Sequence, residues 1–295
     1  MMNQLGECEV EELKKAEILF IKRAESDRDR WSSHIALPGG KRDPEDASDK
    51  ACATRETWEE VGLDLDADGT YVGPLDQRLV KVSWGSRTIM TLCPYVFLLN
   101  NPDVELKLQP SEISTAFWYP IHELMDVRNI SEERVAVGDR MGLDKYWFIP
   151  NWLNSTIKWS VGKMSFQCVD LYPTEGVLSH HKLPYKLWGL TLAYMMDFFE
   201  LMEPGKPILN FKFPTMQAWD MRLIISALSL RHKLRCENLI IKTLSGHYRG
   251  GNMDLVSKLL DGYFKYLGRG IAITLFIRFI AIFSAAAYIL RRLRR

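Results

Sequence analysis

Residues 55–60 read Arg-Glu-Thr-Trp-Glu-Glu, and the preceding segment Pro38-Gly39-Gly40-Lys41-Arg42 sets two cations after a double glycine. On a helix turning about 100° per residue, Glu56, Glu59 and Glu60 fall within one sector of roughly 100°, while Ala47, Ala51, Thr54, Trp58 and Val61 gather on the opposite side. One face is expected to pack and the other to collect carboxylates. Carboxylates that close repel by up to about 4 kcal/mol per pair, taking 4 Å and an effective dielectric near 20, unless cations compensate. Water on a solvated helix face would relieve that repulsion. A hard divalent ion would relieve it too, and carboxylate oxygens suit Mg²⁺ or Mn²⁺, which keep waters and bind substrate phosphates as well. The double glycine lets backbone approach a ligand closely, so a phosphate chain bridged by metal fits the two segments together.

The segment from Gly40 through KRDPEDASDKACAT to Arg55-Glu56-Thr57-Trp58-Glu59-Glu60-Val61-Gly62-Leu63 resembles the Nudix box, G-x5-E-x7-R-E-U-x-E-E-x-G-U with U apolar. Its right half is complete. In the left half, fourteen residues rather than thirteen separate Gly40 from Arg55, Asp46 stands where the first Glu is expected, and Thr57 takes the first apolar position. The longer spacing and the Asp resemble the branch that includes coenzyme A diphosphatases. Upstream, Ser33 and Asp29 replace a glycine and an arginine of that branch's signature, with Arg28 and Arg30 adjacent. LFIKRA, FWYPIHEL at 117–124 and LWGLT at 187–191 look like its flanking strand, its substrate-side loop and strand, and its last helix.

The resemblance implies an α+β fold of the Nudix α/β/α sandwich type with a mixed sheet. It also implies metal-dependent hydrolysis of a nucleoside diphosphate linked to another moiety, coenzyme A or its derivatives among the candidates, with water attacking phosphorus. Carried over by residue, Glu59 and Glu60 are expected metal ligands for Mg²⁺ or Mn²⁺, Glu56 a third ligand or a proton acceptor, and Gly40 a ligand through its carbonyl. Arg55 is expected to orient the glutamates by charge-assisted hydrogen bonds. Glu112, in LQPSEI, is a candidate base or further ligand, or an ordinary loop acid. Arg23, Arg28, Arg30, Lys41 and Arg42 could grip substrate phosphates, although each alone is an ordinary surface cation. The competing class is a catalytically silent Nudix-fold membrane scaffold that binds a nucleotide or a protein partner.

The rest of the chain must position these residues. It has 295 residues, 47% apolar, with 38 Lys+Arg against 37 Asp+Glu. Such a chain can bury a full core, and the near-zero net charge argues against binding nucleic acid through bulk electrostatics. The five cysteines, without paired spacing, fit reduced thiols. A short strand is expected at 17–23, a turn at 37–40, a helix at 47–61 closed by Gly62, strands at 71–72, 78–83 and 88–99 around a turn at 83–86, and an element beginning at 117–125. The run 186–202 reads as a buried helix, the stretch 126–185 as a less regular insert, and 215–235 and 253–267 as helices. The domain division expected is 15–203 for the Nudix unit, one strand short at its start, 204–269 for a helical extension and 270–295 for a membrane tail with a basic end.

That tail, Ile271–Leu290, holds twenty residues with one charge, Arg278, ahead of Arg291, Arg292, Arg294 and Arg295. Its length matches a bilayer's hydrocarbon thickness. A central Arg costs roughly 2.5 to 3.5 kcal/mol on insertion scales, so the span is marginal, with a buried or amphipathic terminal helix as the alternative. The expected placement is a tail anchor with the enzyme facing the cytosol, on the mitochondrial outer or peroxisomal membrane, its sequons at Asn129 and Asn154 unmodified; a homodimer is an open expectation. Arg231 to Arg235 closes an amphipathic pattern that either lies on anionic lipid or is a solvated helix end. Three signals carry little. DLDADG at 64–69 lacks the twelfth-position glutamate of a calcium loop and reads as an acidic turn. His180, His181 and His232 have no ligand spacing, and Met195, Met196, Phe198 and Phe199 read as core.

Overall fold

Strand β1 (Glu17–Arg23) is the run EILFIKR, whose central Leu19, Phe20 and Ile21 are all buried. A strand buried on both faces needs cover on both, and the sequence supplies a helix for each. In the computed structural model, which describes residues 15–26, 31–81, 88–101, 103–137, 150–173, 183–202, 211–244, 259–260 and 262–294, β1 is the middle strand of the sheet β2-β1-β7, with β2 at Ile35–Ala36 and β7 at Ile113–Pro120. Both pairings are antiparallel, and Phe20 faces Phe117 across the β1/β7 ladder. On one face Leu19 and Ile21 pack with Val61 and Leu63 from the end of helix α1 (Asp49–Val61) and the residues after it. On the other, Phe20, Phe117 and Tyr119 pack with Leu192, Met195, Met196 and Phe199 of a second helix, α4 (Gly189–Met202). The chain is therefore α+β, with helices on both faces of this sheet.

Between them run two ribbons. β3 (Gly69–Pro74) pairs with β6 (Tyr95–Leu99), and β4 (Arg78–Lys81) with β5 (Thr88–Leu92). The expected strand 88–99 is thus two strands, divided at Cys93–Pro94, where a proline cannot donate to the ladder. The turn expected at 83–86 lies outside the described residues. After β7 come a short helix α2 (Ile121–Leu124) and a 3-10 turn at Val127–Asn129.

The stretch 126–185, expected to be a less regular insert, forms regular elements over much of what is described. β8 (Ile130–Ala136), helix α3 (Asn151–Val161) and β9 (Lys163–Leu171) follow one another, and β8 pairs with β9 over seven residues. The other edge of β9 takes β10 (Tyr185–Trp188) at one end and β11 (Thr215–Met216) at the other. The predicted helix 186–202 begins late. Tyr185–Trp188 is strand, Gly189 at φ 67° breaks the chain direction, and α4 starts only there.

Helix α5 (Trp219–Leu244) is longer than predicted, so Arg231 to Arg235 sit mid-helix. Helix α6 (Tyr263–Leu293) takes in the apolar tail. The two run antiparallel. Leu259, just before α6, offers its carbonyl to His232 and Cys236 of α5, Gly270 lies against Ile225, and Arg278 pairs with Asp220. Tyr263, Leu267 and Ile271 form a cluster with Met221 and Ile225 of α5, Val161, Met164 and Met216.

Candidate functional site

α1 starts and stops for local reasons. The Ser48 hydroxyl accepts the Ala51 N–H at 3.1 Å, and Gly62, at φ 73°, returns its N–H to the Trp58 carbonyl. The loop ahead of β7 then fixes the helix end. Lys107 N–H donates to the Val61 carbonyl and Gln109 N–H to the Glu60 carbonyl, so this loop closes over α1 and delivers Glu112.

This packing rotates α1 away from the expected orientation. Its buried residues are Cys52, Thr57, Glu60 and Val61, whereas Trp58 is 57% exposed and Ala47 is exposed. The carboxylates are therefore not gathered on a free face. Glu60 is 1% exposed, Glu56 is partly covered and Glu59 faces solvent. Thr57 tolerates burial because its hydroxyl donates to the Ala53 carbonyl at 2.8 Å.

Glu60 reaches the double-glycine loop, where its Oε2 accepts the Gly39 N–H at 2.8 Å. Burial pushes its carboxyl up to about 7; the Gly39 N–H and Arg23 pull against that, and Glu56 and Glu112 add to it. Glu56 is also raised, first by burial, with Glu59 and Glu112 contributing and Arg55 opposing. The carboxylates of Glu56, Glu60 and Glu112 thus stand close enough to feel one another. Gly40 completes the cradle: a Cβ there would lie 2.1 Å from Glu56 Oε2, so a larger residue would push that carboxylate aside.

Arg55 binds the cluster together. Its guanidinium grips Asp46 through Nε at 2.9 Å and Nη2 at 3.0 Å, and reaches Glu56 and Glu59 at 3.0 Å each and the Lys41 carbonyl at 3.3 Å. Asp46, buried in that fork and accepting the Asp43 N–H, is held down at about 2, chiefly by Arg55. The site reading from sequence missed Asp46, and its place in the box was the signal. With Asp46 occupied by Arg55, it positions the arginine rather than joining Glu56 and Glu60.

The expected phosphate-gripping cations are differently placed. Arg42 is engaged with the Asp49 carboxylate at 3.0 Å and the Asp46 carbonyl at 3.1 Å, clamping the loop to the start of α1. Lys41 is exposed, Arg23 at the end of β1 is near enough to influence Glu60, and Arg28 and Arg30 lie outside the described residues. Ser33 adopts φ 61°, a left-handed conformation that explains why a glycine would suit that position. Among the described residues no group of three or more His, Cys, Asp or Glu stands ready to surround an ion. Arg55 occupies the space between Glu56 and Glu59, and Glu60 turns to Gly39.

The Nudix domain model matches residues 10–138. An uncharacterized protein of Schizosaccharomyces pombe is 32% identical over 256 residues, covering 85% of this chain and 73% of that protein. The chain carries a Nudix domain over residues 10–138. A Nudix domain supports pyrophosphate hydrolysis in general, and Nudix enzymes generally use divalent metals such as Mg²⁺ or Mn²⁺. The donor types are those such an ion takes, with the Glu60 carboxylate on the Gly39 N–H and the Glu56 carboxylate against Gly40, although no group of three acids surrounds a common point among the described residues.

The discounted signals have other uses. The Asp64 carboxylate accepts the N–H groups of Asp66 and Ala67, making DLDADG a turn. His232 bonds the Leu259 carbonyl inside the α5/α6 pair, Met195, Met196 and Phe199 are core, and His180 and His181 lie outside the described residues. Asn129 donates its amide to the Glu123 carbonyl, and Asn154 is buried in α3.

Proposed function

We propose that this Nudix chain hydrolyses the pyrophosphate bond of a nucleoside diphosphate linked to another moiety, with coenzyme A derivatives inside the substrate class. The observation that carries the reading is Glu60, a carboxylate buried against the Gly39–Gly40 backbone with Glu56 and Glu112 nearby. Glu56, Glu59, Glu60 and the Gly40 carbonyl would hold Mg²⁺ or Mn²⁺. Bound there, the ion would neutralise phosphoryl charge and acidify the attacking water. Arg55, fixed by Asp46, orients Glu56 and Glu59. Glu112 borders the same space and can accept the proton released from water. Arg23 and Lys41 offer cations to the substrate phosphates.

The full chain, purified in detergent, is assayed across nucleotide sugars, dinucleotide cofactors, capped dinucleotides and coenzyme A esters, with and without Mg²⁺ or Mn²⁺. Turnover that needs metal and is abolished by Glu60→Gln supports the reading. Binding without turnover in every case would instead support a silent scaffold.

The same proposal extends to placement: α6 anchors the enzyme in a membrane with its catalytic unit in the cytosol, at the mitochondrial outer or peroxisomal membrane. It is long and apolar enough to cross a bilayer, and ends in arginines. Imaging the tagged full chain tests this, and a diffuse cytosolic signal would refute it.

A further inference from the structure

α6 leaves the protein at an unusual edge. Its buried stripe, Tyr263, Leu267, Gly270, Ile271 and Thr274, continues one turn later to Arg278. The Arg278 guanidinium grips both oxygens of Asp220 at 2.7 Å, and also donates to the carbonyl and hydroxyl of Ser160. Arg278 is therefore the last residue of α6 tied to the domain by these contacts, at the point where the C-terminal end of α3 and the N-terminal end of α5 meet it. The residue before each partner is an exposed tryptophan: Trp159 is 85% exposed and Trp219 74%. From Phe279 to Arg294 the helix is exposed at every position but Ala287.

Length then decides where a bilayer can sit. Phe279–Leu290 is twelve residues, about 18 Å of helix, against a hydrocarbon core of about 30 Å. That is too short to bring Arg291, Arg292 and Arg294 near the far headgroups. Starting instead at Ile273 gives eighteen residues and about 27 Å, which matches thinner bilayers. The outer side of that added turn is already apolar, because Ile273, Phe276 and Ile277 are 41%, 64% and 51% exposed. Its inner side carries Thr274 and Arg278, both engaged within the protein. Arg278 can approach lipid there because its charge is paired.

We propose that the edge formed by the end of α3 and the start of α5 is sunk into the near face of a phospholipid bilayer, at the boundary between headgroups and upper acyl chains, with Trp159 and Trp219 as interfacial anchors beside Arg278, about 7 Å along α6 from the level of Ile273. Tryptophan suits that layer, where its ring is half in lipid and its N–H finds water or headgroups. The inference rests on the reading of α6 as an anchor. It adds that the domain is not tethered loosely but seated on the membrane by a defined edge.

The test reconstitutes the full chain in phosphatidylcholine vesicles and measures flotation and the quenching of tryptophan fluorescence by lipid brominated near the headgroup end of its chains. Wild type should float and be quenched. The variant W159F/W219F should float equally and lose most of the quenching, while W31F/W58F, which alters exposed tryptophans elsewhere, should retain it. Flotation with quenching absent, or unchanged in W159F/W219F, overturns the seated edge and leaves the anchor standing. No flotation of wild type overturns both.

Discussion

Replacing Glu60 by glutamine is expected to inactivate the enzyme and, without metal, to stabilise it above neutral pH. The carboxyl is raised from 4.5 to about 7 in the folded chain. Between those values the native state binds more protons than the unfolded one, so stability falls as pH rises through the interval. A rise from 4.5 to about 7, at about 1.36 kcal/mol per pH unit, sets a ceiling of about 3 kcal/mol of destabilisation by pH 8. Glutamine keeps an oxygen for the Gly39 N–H but brings an amide that needs its own partner, so a net gain of about 2 kcal/mol is expected. At about 2 °C per kcal/mol for a chain of this size, that is roughly 4 °C. Thermal unfolding of the full chain in detergent with chelator should therefore show wild type and Glu60→Gln alike at pH 5, with the variant ahead at pH 8. Adding Mg²⁺ at pH 8 should raise the wild type more than the variant, because a ligand that binds only the native state stabilises it. A variant no more stable at pH 8 than at pH 5, relative to wild type, would refute the claim that Glu60 is held ionised at a cost.

Arg55→Lys keeps the charge but loses the fork that grips Asp46, and kcat/KM should fall roughly ten- to hundred-fold while the chain stays folded by circular dichroism. Gly40→Ala places a methyl 2.1 Å from Glu56 Oε2, so activity should fall at least about tenfold, with a structure of the variant showing Glu56 displaced. Gly270→Leu puts its Cβ 2.3 Å from Ile225 Cγ1 and should separate α5 from α6, at about 1 to 3 kcal/mol in denaturant unfolding with catalysis in the remaining folded protein unaffected.

The parts of the site that sequence made legible are those held by local rules. Ser48 and Gly62 bound α1, the double glycine marks its close contact with Glu56, and the apolar run of β1 marks both its ends. The face of α1 was not legible. Periodicity finds two faces, and Trp58 suggested which was core, but the strap at Lys107 and Gln109 turned Glu60 inward and left the tryptophan outside. β8 was hidden for a similar reason. ISEERVA resembles a charged loop until β9 pairs with it and Lys186 meets Glu133 at 3.5 Å. The run 185–202 shows a limit of apolar periodicity, since a continuous apolar stretch fits strand or helix, and only Gly189 divides it. Arg278 read as a lone charge because its partner lies 58 residues away, a distance no local pattern spans.

Glu60 and Arg278 show how one chain handles two costly charges for different ends. Arg278 is met by a carboxylate and a carbonyl in the same fold, so its charge is settled when the chain folds and the helix pair is fixed by it. Glu60 is met by one backbone N–H, with Arg23 acting on it electrostatically, and its neighbours include two more acids. Folding alone leaves that arrangement unfavourable, and the deficit can be removed in two ways, by a proton or by a cation brought from solution. A purely structural carboxylate would resemble Asp46, sunk in the Arg55 fork and held at about 2. The contrast between Asp46 and Glu60, fourteen positions apart and both buried, sets an acid settled by its arginine against an acid whose buried charge only a proton or the cation of the proposed reading would offset.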